Sequence, residues 1–181
     1  MTSDIDLALV KLRGVTGDGV SPDTIWYFVS DGPPVAKSRA RWSRKSRGFY
    51  TPGKTSEAEQ TLGWRFKESM KGQKLSGPVA IIAVFFRPYY QRIDADNLMK
   101  LVMDAATSAQ VWTDDCMVTA QAGFMELDIK RPRTLVAWCP TTSSLNREWR
   151  FLCVYCGKKF NRLGIAALSK PPKFCSSACR Y

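Results

Sequence analysis

Histidine is absent from all 181 residues. That absence removes Ser-His-Asp triads, imidazole general bases and His-ligated zinc nucleases from consideration. Any hydrolysis must rest on carboxylates, lysine, tyrosine or a metal-bound water. Long apolar runs are missing too. The longest, Val79 to Phe86, is far too short to cross a bilayer, so no membrane partner is expected. The first residues, Met1-Thr-Ser-Asp-Ile-Asp6, lack the basic start and apolar centre of a secretory signal. A cytoplasmic protein is therefore expected, in a compartment where disulfides are rare. Acidic residues are scarce: 16 Asp and Glu face 27 Lys and Arg, a formal charge of +11. A polyanion, above all nucleic acid, is the natural partner of such a chain.

The scarce acids are not scattered. Asp94-Ala-Asp96-Asn97-Leu98-Met99-Lys100 and Val111-Trp112-Thr113-Asp114-Asp115 place four carboxylates and a lysine within 22 residues. The stretch between them reads as a helix from about Asp96 to Ser108, with Leu98, Leu101, Val102 and Ala105 as its apolar stripe. Asn97, Lys100 and Asp104 fall on another face. Asp94 and Asp96 stand where an apolar strand, Val79 to Phe86, gives way to a helix N-terminus, a place that favours anions. A helix followed by a short turn can return Asp114 and Asp115 to the same place. Clustered carboxylates repel unless a cation joins them, and Mg²⁺ takes one or two carboxylates together with phosphate and water. The plain alternative is that Asp96 only caps a helix and Asp114-Asp115 only makes a turn.

The rest of the chain reads as α+β: a mixed sheet packed with two main helices. Strands are expected at Thr24–Ser30, Val79–Phe86, Met117–Leu127 and Thr134–Cys139, and a helix capped by Thr55 or Ser56 is expected to run to Lys71. The expected boundaries are 1–23 for an N-terminal extension, 24–140 for the main domain, 141–150 for a connector and 151–181 for a small module. Between Val35 and Phe49 the chain carries Lys37, Arg39, Arg41, Arg44, Lys45 and Arg47 with no acid among them. Such an arm suits phosphate binding in a strand or hairpin, with Arg92 as a further basic contact. The alternative is a solvated loop.

Cys153-x2-Cys156 and Cys175-x3-Cys179 have zinc-ligand spacing, so one structural Zn²⁺ on Cys153, Cys156, Cys175 and Cys179 is expected. Gly157 follows as in a zinc knuckle. A redox Cys-x-x-Cys is the main alternative, but it leaves Cys175 and Cys179 without a role. Residues 151–181 hold six Lys/Arg and no acid, which fits added DNA affinity. Cys116 and Cys139 read as small buried hydrophobes.

Asp94-x-Asp96-Asn97-Leu98-x-Lys100 followed by Val111-Trp112-x-Asp114-Asp115 resembles the RusA family of Holliday-junction resolvases, including its phage members. Pro33-Pro34, the basic arm and Tyr50-Thr-Pro-Gly-Lys-Thr55 are similar to parts of the same pattern, which covers roughly residues 24–139. The resemblance implies a homodimeric, Mg²⁺-dependent (or Mn²⁺-dependent) endonuclease of DNA recombination and repair that nicks four-way junctions symmetrically. It implies metal ligation by Asp94, Asp96 and Asp115, with Asp115 a better match than Asp114. Bound metal would lower the pKa of water and neutralise phosphate charge, and Lys100 would stabilise the transition state. Members with several arginines before the first aspartate differ from this chain, which has Arg92 and then Ile93. Two other functions remain open at this point: a non-catalytic zinc-containing DNA-binding or regulatory protein, and an RNA or flap nuclease.

Overall fold

The computed structural model describes residues 3–16, 22–44, 47–90, 92–141, 149–152, 156 and 158–162. The chain divides into two compact units, Met1–Thr141 and Thr142–Tyr181. In the first, helix α1 (Asp4–Thr16) precedes strand β1 (Trp26–Asp31). A hairpin of β2 (Arg41–Ser43) and β3 (Gly48–Tyr50) follows, then helix α2 (Gly53–Met70). Strand β4 (Val79–Arg87), helix α3 (Ala95–Ser108), β5 (Val118–Leu127) and β6 (Arg133–Pro140) complete it. The second unit contains an antiparallel pair, β7 (Trp149–Leu152) and β8 (Lys159–Arg162). Cys156 falls between these two strands and is exposed. Cys153, Cys175 and Cys179 lie outside the described residues.

The architecture is α+β. A four-stranded mixed sheet runs in the order β1-β6-β4-β5. β4 is antiparallel to β6 and parallel to β5, with Val79 opposite Val118 and Arg87 opposite Leu127. The parallel pair demands a crossover, and α3 supplies it. β4 is buried along its whole length because helices cover both sheet faces. That explains its unbroken apolar sequence. On one face Phe28, Phe66 and Trp138 stack edge-to-face and tilted, with centroids 4.8–5.9 Å apart. Leu98, Leu101, Val102 and Ala105 of α3 join them, the stripe expected from spacing. The Trp138 indole N–H, buried here, donates to Met70 Sδ at 3.4 Å.

The opposite face is covered by α1. Ala8 and Leu12 pack on Ile82, Val84, Leu135 and Cys139. The sequence offered no clear helix there, because glycines at 14, 17 and 19 break the pattern soon after Val10. Cys139 is fully buried, and burial pushes its thiol up to about 11. Cys116 is exposed, contrary to its reading as a buried hydrophobe, because it sits in the 3₁₀ turn before β5 rather than inside the strand. The α2 boundary also moves. The helix begins at Gly53 after Pro52, with no side-chain cap, and Thr55 is buried within its first turn. Pro52 holds the N-cap position, and its carbonyl accepts from the amides of Thr55 and Ser56 at 2.9 and 3.1 Å.

Candidate active site

Both ends of α3 carry the residues singled out in the sequence. At its start Asp94 is extended (φ −70°, ψ 125°), and its carbonyl accepts from the amides of Asn97 and Leu98 at 3.1 and 3.3 Å. Its carboxylate makes no backbone cap. Instead Asn97 Nδ2 donates to Asp94 Oδ2 at 3.3 Å. Asp96 lies in the first turn, and Lys100 follows one turn later. All three of Asp94, Asp96 and Lys100 are exposed, because Leu98, Leu101 and Val102 turn the other face into the core.

Past the end of α3 the chain folds back through Val111 and Trp112, both buried. Trp112 pairs with Leu75 in an isolated parallel bridge, which fixes the turn. Its indole N–H is shared between Thr107 Oγ1 at 3.0 Å and Asp115 Oδ1 at 3.3 Å. The Thr107 hydroxyl also donates to Asp115 Oδ1. Asp115 is thereby held by two donors on one oxygen. Asp114 is occupied differently: its Oδ1 accepts the Cys116 amide at 2.8 Å and caps the 3₁₀ turn, Asp115–Met117. That hydrogen bond holds the Asp114 carboxyl below its ordinary range. Of the acidic pair, Asp115 borders an open cleft together with Lys100, Asp104 and the first residues of β5, Val118 to Gln121. Thr107 and Trp112 had no assigned role in the sequence. Their signal is the pairing of a hydroxyl in the last turn of α3 with an indole just before Asp115.

The two carboxylate sets do not meet within one chain. A helix rises about 1.5 Å per residue, so Asp96 and Thr107, and hence Asp115, are separated by about 16 Å of α3. Among the described residues no three His, Cys, Asp or Glu side chains stand together as a metal-binding group. The expectation that a helix and a short turn bring Asp114-Asp115 beside Asp94-Asp96 fails in a single chain. The reason is the parallel β4–β5 pair: its crossover helix starts at the C-terminal end of β4 and must return to the N-terminal end of β5, at the opposite ends of the strands. The donors themselves suit a hard cation. Each is an exposed carboxylate, and among the described residues no ion pair joins Asp94, Asp96 or Asp115 to any of this chain's many cations.

The basic arm is rooted on α3. The Lys37 amide donates to the Asn97 carbonyl at 2.9 Å. Its ammonium bridges Glu59 of α2, at 2.9 Å, and Asp104 of α3. Burial opposes the charge on Lys37, but the hydrogen bonds to Asp104 and Glu59 overcome it and raise the pKa above the ordinary lysine value. Residues 33–40 form no strand, and the strand character expected of the arm is confined to the β2–β3 hairpin, which begins at Arg41. Arg39, Arg41 and Arg44 are exposed around the β2–β3 hairpin, as is Arg92 before Asp94, and Lys45 lies outside the described residues.

This arrangement separates two kinds of cation. Lys37→Ala leaves Glu59 and Asp104 facing each other without a cation and is expected to destabilise the fold by about 1 kcal/mol. Because the folded pKa of Lys37 is raised, its stabilisation is complete below the ordinary lysine pKa and disappears as pH rises through the folded value. The wild-type advantage over Lys37→Ala should therefore persist at neutral pH and vanish in strong alkali, as read by urea melts. Arg39→Ala with Arg41→Ala should leave melting unchanged and reduce the slope of log DNA affinity against log salt by about 2, roughly one per phosphate contact.

No curated protein matches this chain. A family model described as Endodeoxyribonuclease RusA matches residues 31–137, more than half the chain, from the end of β1 through most of β6. The matched span contains the basic arm, both acidic motifs and Lys100, whereas α1 and the cysteine-rich tail lie outside it. The chain therefore belongs to the RusA family of endodeoxyribonucleases, and that family implies the nuclease activity of a Holliday-junction resolvase.

Proposed function

We propose that two copies of this chain form a Mg²⁺-dependent endonuclease that resolves four-way or other branched DNA by symmetric nicking, with each active site built from both copies. Asp94 and Asp96 come from one chain and Asp115 from the other, while Lys100 borders the cleft of the Asp115 in its own chain. The observation that carries this reading is the position of the carboxylates at opposite ends of α3. A closed two-fold pair is the commonest oligomer. If it sets the two α3 helices antiparallel, the start of each lies beside the end of the other, and two equivalent sites form. β5 is an edge strand of the sheet with Met125, Leu127 and the following Ile129 exposed, so α3 stands next to an edge available for such pairing.

A divalent cation held by Asp94, Asp96 and Asp115 would supply charge neutralisation at the phosphate. The chain's own groups do the rest. Thr107 and Trp112 hold Asp115 through Oδ1 and leave its other oxygen for ligation. Asn97 restrains Asp94. The Lys100 ammonium, exposed in the cleft, can meet charge that builds on the phosphate oxygens. The arginines of the hairpin bind neighbouring phosphates and orient the strand.

The separation of Asp94 and Asp96 from Asp115 along α3 leaves room for a second reading, a DNA-binding protein without catalysis. Incubating the purified protein with a labelled synthetic four-way junction, with and without Mg²⁺, separates the two. Paired nicks at equivalent positions in Mg²⁺ alone support the nuclease, and binding without cutting supports the binder.

The second unit is read as a structural zinc module on Cys153, Cys156, Cys175 and Cys179. Its support is the ligand spacing, with Cys156 exposed between two short antiparallel strands. Elemental analysis should give about one Zn²⁺ per chain, since four thiolates close one tetrahedral site. Cys153→Ser or Cys175→Ser should lose that zinc and weaken DNA binding while the melting of the nuclease unit stays in place. Metal-free protein with a Cys153–Cys156 disulfide under reducing conditions would overturn this assignment.

A further inference from the structure

The β2–β3 hairpin combines two chemistries that seldom share a surface. Trp42, Phe49 and Tyr50 are 56%, 75% and 47% exposed, on strands of three residues each. Trp42 and Phe49 are cross-strand partners, with ring centroids 5.1 Å apart and planes at 73°. β2 and β3 form a two-stranded sheet of their own, apart from the main sheet. The aromatic pair is therefore not a rim of the core. The hairpin and the residues flanking it also carry Arg39, Arg41, Arg44 and Arg47, all exposed, and the sequence holds no acid from Lys37 until Glu57. Arg47 takes a positive φ of 49° to close the turn.

Large exposed aromatics on a soluble protein mark a surface that meets something. The arginines decide what. An apolar protein groove would have to desolvate four guanidinium groups, and a second copy of the hairpin would set four arginines against four more. Nucleic acid satisfies both chemistries at once: phosphates take the arginines, and the faces of bases take the rings. The hairpin's root fixes where this happens. Lys37 is tied by its amide to Asn97 and by its ammonium to Asp104 and Glu59. The four residues from Lys37 to Arg41 reach about 13 Å when extended. The rings are thus tethered to the helix that carries Asp96 and Lys100.

In an intact duplex every base face is covered by its neighbours. At a branch point the outermost pairs lack a continuous stack, so opening a step there costs least. We propose that the hairpin is a base-stacking wedge: Trp42 and Phe49 stack on bases exposed at the centre of a branched DNA, while Arg39, Arg41, Arg44 and Arg47 hold the flanking phosphates. The wedge makes recognition depend on branch structure rather than on sequence. It rests on the branched-DNA reading above.

The test uses the full-length protein in Ca²⁺, with a four-way junction whose central base pairs are A·T. Competition against linear duplex of the same length gives selectivity, and permanganate oxidation reports unstacked thymines. The wild type should select the junction and make its central thymines reactive. Trp42→Ala/Phe49→Ala should lose that reactivity and about 10-fold of junction affinity, roughly one stacked base, while binding linear duplex as before. Trp42→Phe/Phe49→Tyr should restore both, whereas Arg39→Ala should weaken junction and duplex alike. Phe49→Ser, at the most exposed ring of the hairpin, gives a second variant that leaves the core untouched. If the wild type binds junction and duplex equally, the branched-DNA reading falls and the wedge falls with it. If the wild type selects junctions and the double variant keeps both selectivity and footprint, the wedge alone is wrong. A double variant that light scattering finds monomeric where the wild type is dimeric would move the hairpin into the subunit contact and overturn the proposal.

Discussion

Asp96→Asn and Asp115→Asn are each expected to lower Mg²⁺-dependent nicking of a four-way junction by a hundredfold to about a thousandfold, while binding in Ca²⁺ or EDTA stays close to wild type. Both carboxylates are exposed, and neither is in an ion pair among the described residues. The Asp96 side chain has no hydrogen-bond partner among the described residues, and the amide oxygen left by Asp115→Asn can still accept from Thr107 and Trp112, so folding is expected to be unchanged. Amide for carboxylate preserves shape and removes the charge that a hard cation needs. Asp94→Asn should behave in the same way, although its contact with Asn97 makes a small shift in α3 stability an added effect. Asp114→Asn is the informative contrast. Its carboxylate caps the 3₁₀ turn, and asparagine accepts the same amide hydrogen bond, so cutting should survive. Lys100→Ala should lose cleavage and keep the fold, since that position points away from the core. Single-turnover cleavage under saturating protein measures all five. Near-wild-type rates in Asp94→Asn, Asp96→Asn and Asp115→Asn together would remove the proposed site.

How much of this was legible beforehand follows from which signals are local. The continuous run Val79–Phe86 announces a strand buried on both faces, and β4 is one. The Leu98, Leu101, Val102 and Ala105 stripe places α3 to within a residue and leaves Asp96 and Lys100 facing out. Motif spacing thus gives the elements and the exposed faces. It does not give the end of the strands at which each motif sits, because that depends on whether β4 and β5 run parallel. Residue types at β4 and β5 do not encode their relative direction, so the separation of Asp94-Asp96 from Asp115 was invisible. Lys37 shows the same limit on a smaller scale. Its place in a run of cations suggested a phosphate contact, but Glu59 and Asp104, 22 and 67 positions away, occupy its ammonium. Helix α1 was missed because Leu7 to Val10 is too short an apolar run to stand out; its helix is stabilised by the sheet it covers.

The separation of the carboxylates leads to the second large effect, restoration of cutting by mixing two dead proteins. In a composite site one chain supplies Asp94 and Asp96 and the other supplies Asp115. A pair formed from an Asp96→Asn chain and an Asp115→Asn chain then has one site with both defects and one with neither. The intact site should nick, so co-refolded or co-expressed mixtures should regain up to about half of the wild-type nicking per mixed dimer, from a background lower by two orders of magnitude or more. The product distinguishes restoration from contamination by wild type: one active site per dimer gives junctions nicked on a single strand, whereas wild type gives paired nicks. If each chain instead holds its own complete site, every mixed dimer carries one defect in each site, and mixing restores nothing. The same experiment with Asp94→Asn and Asp96→Asn is the internal control, since both changes lie at the start of α3 and belong to the same half of the site. That mixture leaves one defect in each composite site and should stay inactive. Recovery with Asp96→Asn plus Asp115→Asn, but not with Asp94→Asn plus Asp96→Asn, would assign the two ends of α3 to different sites within the dimer. Recovery in neither mixture, from proteins that light scattering shows to exchange subunits, would return the site to a single chain and require α3 or the turn after it to rearrange on binding DNA.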